Sequence, residues 1–156
     1  MVDHVSTKLR GAAALVLLLA GCTAGSASPA PAELTPGVDA CEYCHMTVDD
    51  PARAAQWVEP GGRVHKFDEV GCLVAWLQRT PGAVGVGFVG DEEGSGWVRA
   101  DSARYVRGAF RTGMGFGVVA FRNASAAVTR AGETAGARVV DWDTLRGEGV
   151  SDAHAH

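Results

Sequence analysis

Residues 54–79, AAQWVEPGGRVHKFDEVGCLVAWLQR, read as a hairpin running into a helix, and that reading decides the fold. The stretch 54–59 around Trp57 predicts a strand, Pro60-Gly61-Gly62 a turn, and 63–67 the returning strand. Asp68 stands where an N-cap is wanted for a helix over 69–79. Within that helix Val70, Leu73, Val74 and Leu77 fall at i, i+3, i+4 and i+7, the spacing of one buried face. Pro81-Gly82 ends it. Further on, 84–89 and 97–99 predict strands around the acidic, glycine-rich turn 91–96, and 102–106 a short helix. A loop with Gly113, Met114 and Gly115 leads into a strand at 117–121. Asn123 is placed to cap a second helix running to about Ala131, with Gly132 to stop it, and 138–142 predicts a last strand. The class is α+β: small antiparallel strands with two short helices. A faint echo links 63–70 with 138–145, which share Arg-Val, an aromatic residue and Asp.

The 156 residues open with a leader. Lys8 and Arg10 precede the apolar run 12–20, whose nine residues are well short of the roughly 20 that span a bilayer. Leu19-Ala20-Gly21-Cys22 has the form of a bacterial lipoprotein box, so 1–21 is expected to be removed and Cys22 to carry lipid. Residues 22–38, rich in small residues and proline, are expected to form an extended, flexible tether. The domain would then occupy 39–150, with 151–156 a polar tail, on the outer side of the cytoplasmic membrane and facing the periplasm or cell exterior. Net charge is −4 for the whole chain. A mildly acidic chain without a basic cluster lacks the electrostatic footprint of a nucleic-acid binder. Hydrophobic residues at 47% and charged ones at 21% fit a folded domain.

The densest chemistry lies in Cys41-Glu42-Tyr43-Cys44-His45-Met46. Four readings suit it. Two cysteines in an oxidising compartment commonly pair as a structural disulfide. A Cys-x-x-Cys redox pair would want a helix N-terminus inside a βαβ unit, which the surrounding pattern lacks. Cys41-x-x-Cys44-His45 also spells c-type haem attachment, with Met114 available as a second axial ligand, although most of this chain reads as strand and turn. Finally, thiolate and thioether are soft donors that select Cu(I), with His45 or His65 to complete the coordination. A ligating methionine and a lone cysteine pair both point away from zinc.

At these residues the chain resembles the nitrous-oxide reductase accessory lipoproteins, the NosL family. The resemblance runs from the lipobox to about Leu145. Its most specific part is Cys41-x-Tyr43-Cys44-x-Met46 after a lipoprotein tether. It is supported by 66–73 (KFDEVGCL), Tyr105-Val106 and 114–121 (MGFGVVAF). It implies a compact α+β domain of two related ββαβ-like halves, not an enzyme. It also implies a metallochaperone that delivers Cu(I) to an exported copper enzyme, nitrous-oxide reductase being the expected recipient. Carried over, Cys44 and Met46 are the ligands of its Cys-x-Met, Met114 closes the site from the other half, and Cys41 is a further participant. The family usually has glycine where this chain has His45. That histidine creates the haem-like signature and offers an added imidazole ligand.

Other residues carry plainer expectations. His65, opposite in face to Val64, reads as a surface or hydrogen-bonded histidine, and Cys72, beside Leu73 and Val74, as a buried free thiol. The four tryptophans read as core aromatics, and His154 and His156 as a polar tail. No nucleophile–base set or phosphate-cradling loop argues for catalysis.

Overall fold

The computed structural model describes residues 28–151; the leader, Cys22 and the tail histidines lie outside them. Ten elements follow in order: β1 (Ala55–Val58), β2 (Val64–Phe67), α1 (Val70–Arg79), β3 (Val86–Gly90), β4 (Trp97–Arg99), β5 (Arg104–Arg107), β6 (Val118–Phe121), α2 (Ala124–Gly132), β7 (Arg138–Val140) and α3 (Trp142–Glu148). The strands form two antiparallel sheets, ordered β2-β1-β3-β4 and β6-β5-β7. The fold is α+β, as the pattern predicted, with three helices in place of two.

Each half begins with a ββαβ unit whose first strand lies at the centre of its sheet. β1 pairs with both β2 and β3, and β5 with both β6 and β7. The correspondence runs Val64 to Val118, Phe67 to Phe121 and Val70 to Ala124, a constant offset of 54 residues. The repeat is therefore real, but the 63–70/138–145 echo is not its register: the counterpart of β2 is β6, whereas β7 answers to β3.

Alternation explains the layers. In the second sheet Tyr105, Ala120 and Val140 share one paired row and join the main core, while the next row, Val106 and Val119, faces α2 in a smaller core with Phe121 and Ala127. The main core takes Trp57, Phe67 and Val89 from the first sheet and Leu73, Val74 and Leu77 from α1. α1 touches β1 and β2, and also β6 and α3. It is thus a middle layer, and its Val70/Leu73/Val74/Leu77 stripe is buried as predicted. At about 1.5–3 kcal/mol for each fully buried aliphatic side chain, that stripe is a principal tie between the halves.

Three local expectations are corrected. α1 starts at Val70 with Glu69 at the N-cap, and no side chain caps it, so Asp68 does not have that role. Residues 102–106 are not a helix: 104–107 is the central strand β5, committed to partners on both sides. Beyond Val140 the chain turns into α3, where Asp141 Oδ1 accepts the Thr144 amide at 2.8 Å. Asn123 does cap α2, through the Ser125 amide. The tether also ends earlier than 38. The Ala32 amide donates to Gln56 Oε1 at 2.8 Å and Gln56 Nε2 donates to the Ala32 carbonyl at 2.9 Å, satisfying a fully buried glutamine.

Candidate metal centre

Residues 41–46 form a tight loop closed at its mouth. The Cys41 amide donates to the Met46 carbonyl at 2.8 Å and the His45 amide to the Cys41 carbonyl at 2.9 Å, below an Ala40–Thr47 bridge. The loop is stitched to the free edge of β2, where the Glu42 amide donates to the Lys66 carbonyl at 2.8 Å and Lys66 Nζ pairs with Asp39 at 2.8 Å. Since β2 leads directly into α1, fixing the loop on β2 also fixes it against the first turn of α1. That turn carries Cys72.

The result is a cluster of three sulfurs. Cys41, Cys44 and Cys72 place their Sγ atoms within 4.8 Å of one another. All three are free thiols in this structure, and no disulfide joins them. Cys41 is 1% exposed and Cys72 0%, while Cys44 is half-buried and opens the cluster to solvent. An ion about 2.3 Å from each of three sulfurs would hold them roughly 4 Å apart, so the cluster can close on one with little movement.

The thiols are electrostatically unequal. A hydrogen bond from the Cys72 thiol, supplemented by the backbone amides of Cys44, Asp68 and Tyr43, holds the Cys41 thiol down at about 5 against the opposing effect of burial. Cys72 moves the other way: donating to Cys41, and buried, it keeps its proton. Burial chiefly raises Cys44, despite a hydrogen bond from the Met46 amide. Among the three, ionisation is therefore favoured at Cys41, and binding of a soft cation would release thiol protons.

Met46 is 42% exposed, and its methyl group lies beside Gly113 of the β5–β6 loop. A Cβ on Gly113 would stand 4.0 Å from that methyl and 2.1 Å from Asp68 Oδ2. Met114 packs partly buried against the core that contains Cys41 and Cys72, and its amide donates to Glu69 Oε1 at 2.5 Å. The structure therefore brings the Met114 loop to the first turn of α1. Phe116 of the same loop lies on Gly71, where a Cβ would meet it at 2.3 Å.

His45 stands apart. It is exposed, it is not among the clustered donors, and its φ of 62° lies in the left-handed region. That is the conformation glycine adopts freely and a side chain adopts at a cost. His65 is buried and hydrogen-bonded, with Nε2 2.8 Å from Glu59 Oε1 and its ring 4.7 Å from that of Trp76. Cys72 is the residue that sequence reasoning underrated. It is the buried free thiol expected, but it also belongs to the cluster. The available signal was its place one helical turn after the strand that anchors the cysteine loop.

A two-half α+β domain with a sulfur cluster at the junction of its halves defines a soft-metal-binding class. The NosL family model matches residues 31–150, and the chain belongs to that family. The fold is similar to the crystal structure of the copper chaperone NosL from Shewanella denitrificans, with a TM-score of 0.62 and 17% identity, covering 72% of this chain and 93% of that one. No curated protein matches the chain. Among the described residues no helix is long and apolar enough to cross a membrane.

Proposed function

We propose that this protein is a membrane-tethered, non-enzymatic copper chaperone that holds Cu(I) on sulfur and passes it to an exported copper enzyme, nitrous-oxide reductase being the expected recipient. The observation that carries the reading is the set of three free thiols within 4.8 Å, two buried and one half-exposed, beside a loop bearing Met114. Soft donors in this arrangement favour Cu(I) over hard cations. In this reading Cys44, Cys41 and Cys72 form the inner set, and Met46 and Met114 are the thioether donors that complete it. Such a donor set suits release, because an incoming ligand can replace a neutral thioether before a buried thiolate. His45 is dispensable to this site. Family membership and the similarity in fold to the copper chaperone NosL from Shewanella denitrificans support the same reading. The lipobox supports anchoring through lipid on Cys22, with the domain facing the periplasm or exterior.

The test is elemental analysis of the full-length exported protein, detergent-extracted and kept reduced after expression with copper supply and haem maturation both available. About one copper per chain, lost in Cys44→Ser, is expected. One iron per chain would establish the haem reading of Cys41-x-x-Cys44-His45 instead.

A further inference from the structure

Glu69 has a side chain that is costly to bury and that does not cap its own helix. Only 1% exposed, it occupies the N-cap of α1, yet its side chain accepts no hydrogen bond from the first turn of that helix. Aspartate, asparagine or serine would serve there better. Its counterpart in the repeat is Asn123, 54 residues on, which does the ordinary work of bonding the Ser125 amide. Glu69 instead turns its carboxyl to the other half: Oε1 accepts the Met114 amide at 2.5 Å, and the Thr112 side chain and the Phe116 amide also favour the ionised form against the burial that opposes it. Burying a carboxyl is costly even when it is hydrogen-bonded, so a compensating role is expected.

The loop it holds is also where the repeat breaks. Five residues, 59–63, join β1 to β2, but ten, 108–117, join β5 to β6. The extra length carries Met114 out of its own half and onto the N-terminus of α1. There the first half grips it at three points: Arg53 Nη1 donates to the Arg111 carbonyl at 3.0 Å, Phe116 lies on Gly71, and Glu69 takes the Met114 amide. Of the three, Glu69 acts on the methionine residue itself, and also on Thr112 and Phe116 on either side of it. Through its own carbonyl it also accepts the Cys72 amide at 3.1 Å. One residue therefore ties the backbones of Met114 and Cys72 together.

We infer that Glu69 is the positioning residue that holds Met114 against the thiol cluster, so that the thioether ligand is set by a carboxylate reaching between the halves. The inference rests on the copper reading above, with Met114 as a ligand. The side chain must be long enough to reach the Met114 amide and must present an oxygen to it. Glu69→Gln keeps both properties; Glu69→Asp keeps the carboxylate and improves the cap but falls short by one methylene.

The experiment is Cu(I) affinity by chelator competition on the full-length reduced protein, paired with X-ray absorption at the copper edge to count sulfur neighbours. Parent, Glu69→Gln, Glu69→Asp, Met114→Leu and the Glu69→Asp/Met114→Leu double variant are compared. Loss of an outer-shell support typically weakens a metal site about 10- to 100-fold. Glu69→Asp should lose affinity in that range and lose one sulfur neighbour, as Met114→Leu does. Glu69→Gln should stay within about threefold of parent, and the double variant should bind no worse than Met114→Leu alone. Parent-like binding in Glu69→Asp, or an equal further loss in the Met114→Leu background, would overturn the inference. So would parent-like affinity in Met114→Leu. A parent that takes up no Cu(I) would instead overturn the copper reading.

Discussion

Replacing Gly71 with alanine should lower stability, although at an unencumbered helical position the same change raises it. In a helix alanine is favoured over glycine by about 1 kcal/mol. At Gly71, however, the new Cβ would stand 2.3 Å from Phe116 Cβ and 2.4 Å from two of its ring carbons. Ordinary carbon contacts lie near 3.5–4.0 Å, so helix and loop would have to part by more than about 1 Å. Phe116 is buried and the contact involves its Cβ, so rotation of the ring tip cannot relieve it. Overpacking of this kind costs about 1–3 kcal/mol, and three simultaneous clashes argue for the upper part of that range. Set against the helix gain, the net loss is about 1–2 kcal/mol, or roughly 4–8 °C in Tm for a domain of this size. Urea unfolding of the reduced, metal-free protein should show a lower midpoint at unchanged slope. Gly132→Ala in α2 is the control: no atom lies within 4 Å of a Cβ there, so it should be neutral or stabilising by up to about 1 kcal/mol. Because the displaced loop carries Met114, Gly71→Ala should also weaken Cu(I) binding. If it stabilises the protein as Gly132→Ala does, the account of how α1 and the loop are packed is wrong.

Three further outcomes are expected. His45→Gly should stabilise by roughly 0.5–1 kcal/mol, since a left-handed residue costs about 1–2 kcal/mol and glycine's extra chain entropy returns part of that; it should leave Cu(I) affinity unchanged between pH 7.5 and 6, and a loss would restore His45 to the ligand set. Cys72→Ser should weaken Cu(I) binding at least about tenfold while the apo fold survives, and undiminished affinity would reduce Cys72 to a core thiol. The metal-free protein should carry one thiolate at neutral pH, seen in ultraviolet absorbance and lost as pH falls through about 5. Cys41 is held below its unfolded value near 8.5, so its contribution to stability is full above that value and is lost as pH falls through about 5. Cys72 is raised and has the opposite sign, its contribution being lost as pH rises above about 8.5. Stability contributed by these thiols should therefore be greatest near pH 8.5 and fall away on both sides, and absorbance appearing only above pH 8 would contradict this.

Much of this fold was legible because its first half obeys local rules. The 54–79 segment alternates, turns on Pro60-Gly61-Gly62 and then shifts to helical period, and the hairpin and α1 lie within a residue or two of expectation. Arg104-Tyr105-Val106-Arg107 resisted reading because a four-residue strand, buried in its middle by partners on both sides, leaves too short a pattern to tell its period. Helix α3 was hidden for a related reason: Asp141 is an ordinary cap, but the strand before it has only three residues, so Trp142 read as its continuation. At the site, residues 41–46 identified themselves by composition. Cys72 did not, because a cysteine beside an apolar stripe looks like core until the loop that faces it is placed.

The misread repeat explains where the site lies. A duplicated ββαβ unit offers two equivalent helix N-termini, but α1 is packed between the sheets while α2 covers the outer face of the second. Only the first turn of α1 can be reached from both halves. At the matching positions Glu69 corresponds to Asn123, Gly71 to Ser125 and Cys72 to Ala126, so the second copy has an ordinary capped, solvent-facing start. The first copy gives up its cap, admits a phenylalanine onto a glycine, and buries a carboxyl and a thiol. The lost cap and the buried carboxyl cost local stability, and all of these departures are made toward either the 41–46 loop or the 108–117 loop. The losses are concentrated where the halves meet, as expected if that junction was shaped to gather sulfur ligands from distant parts of the chain and not to hold the fold together.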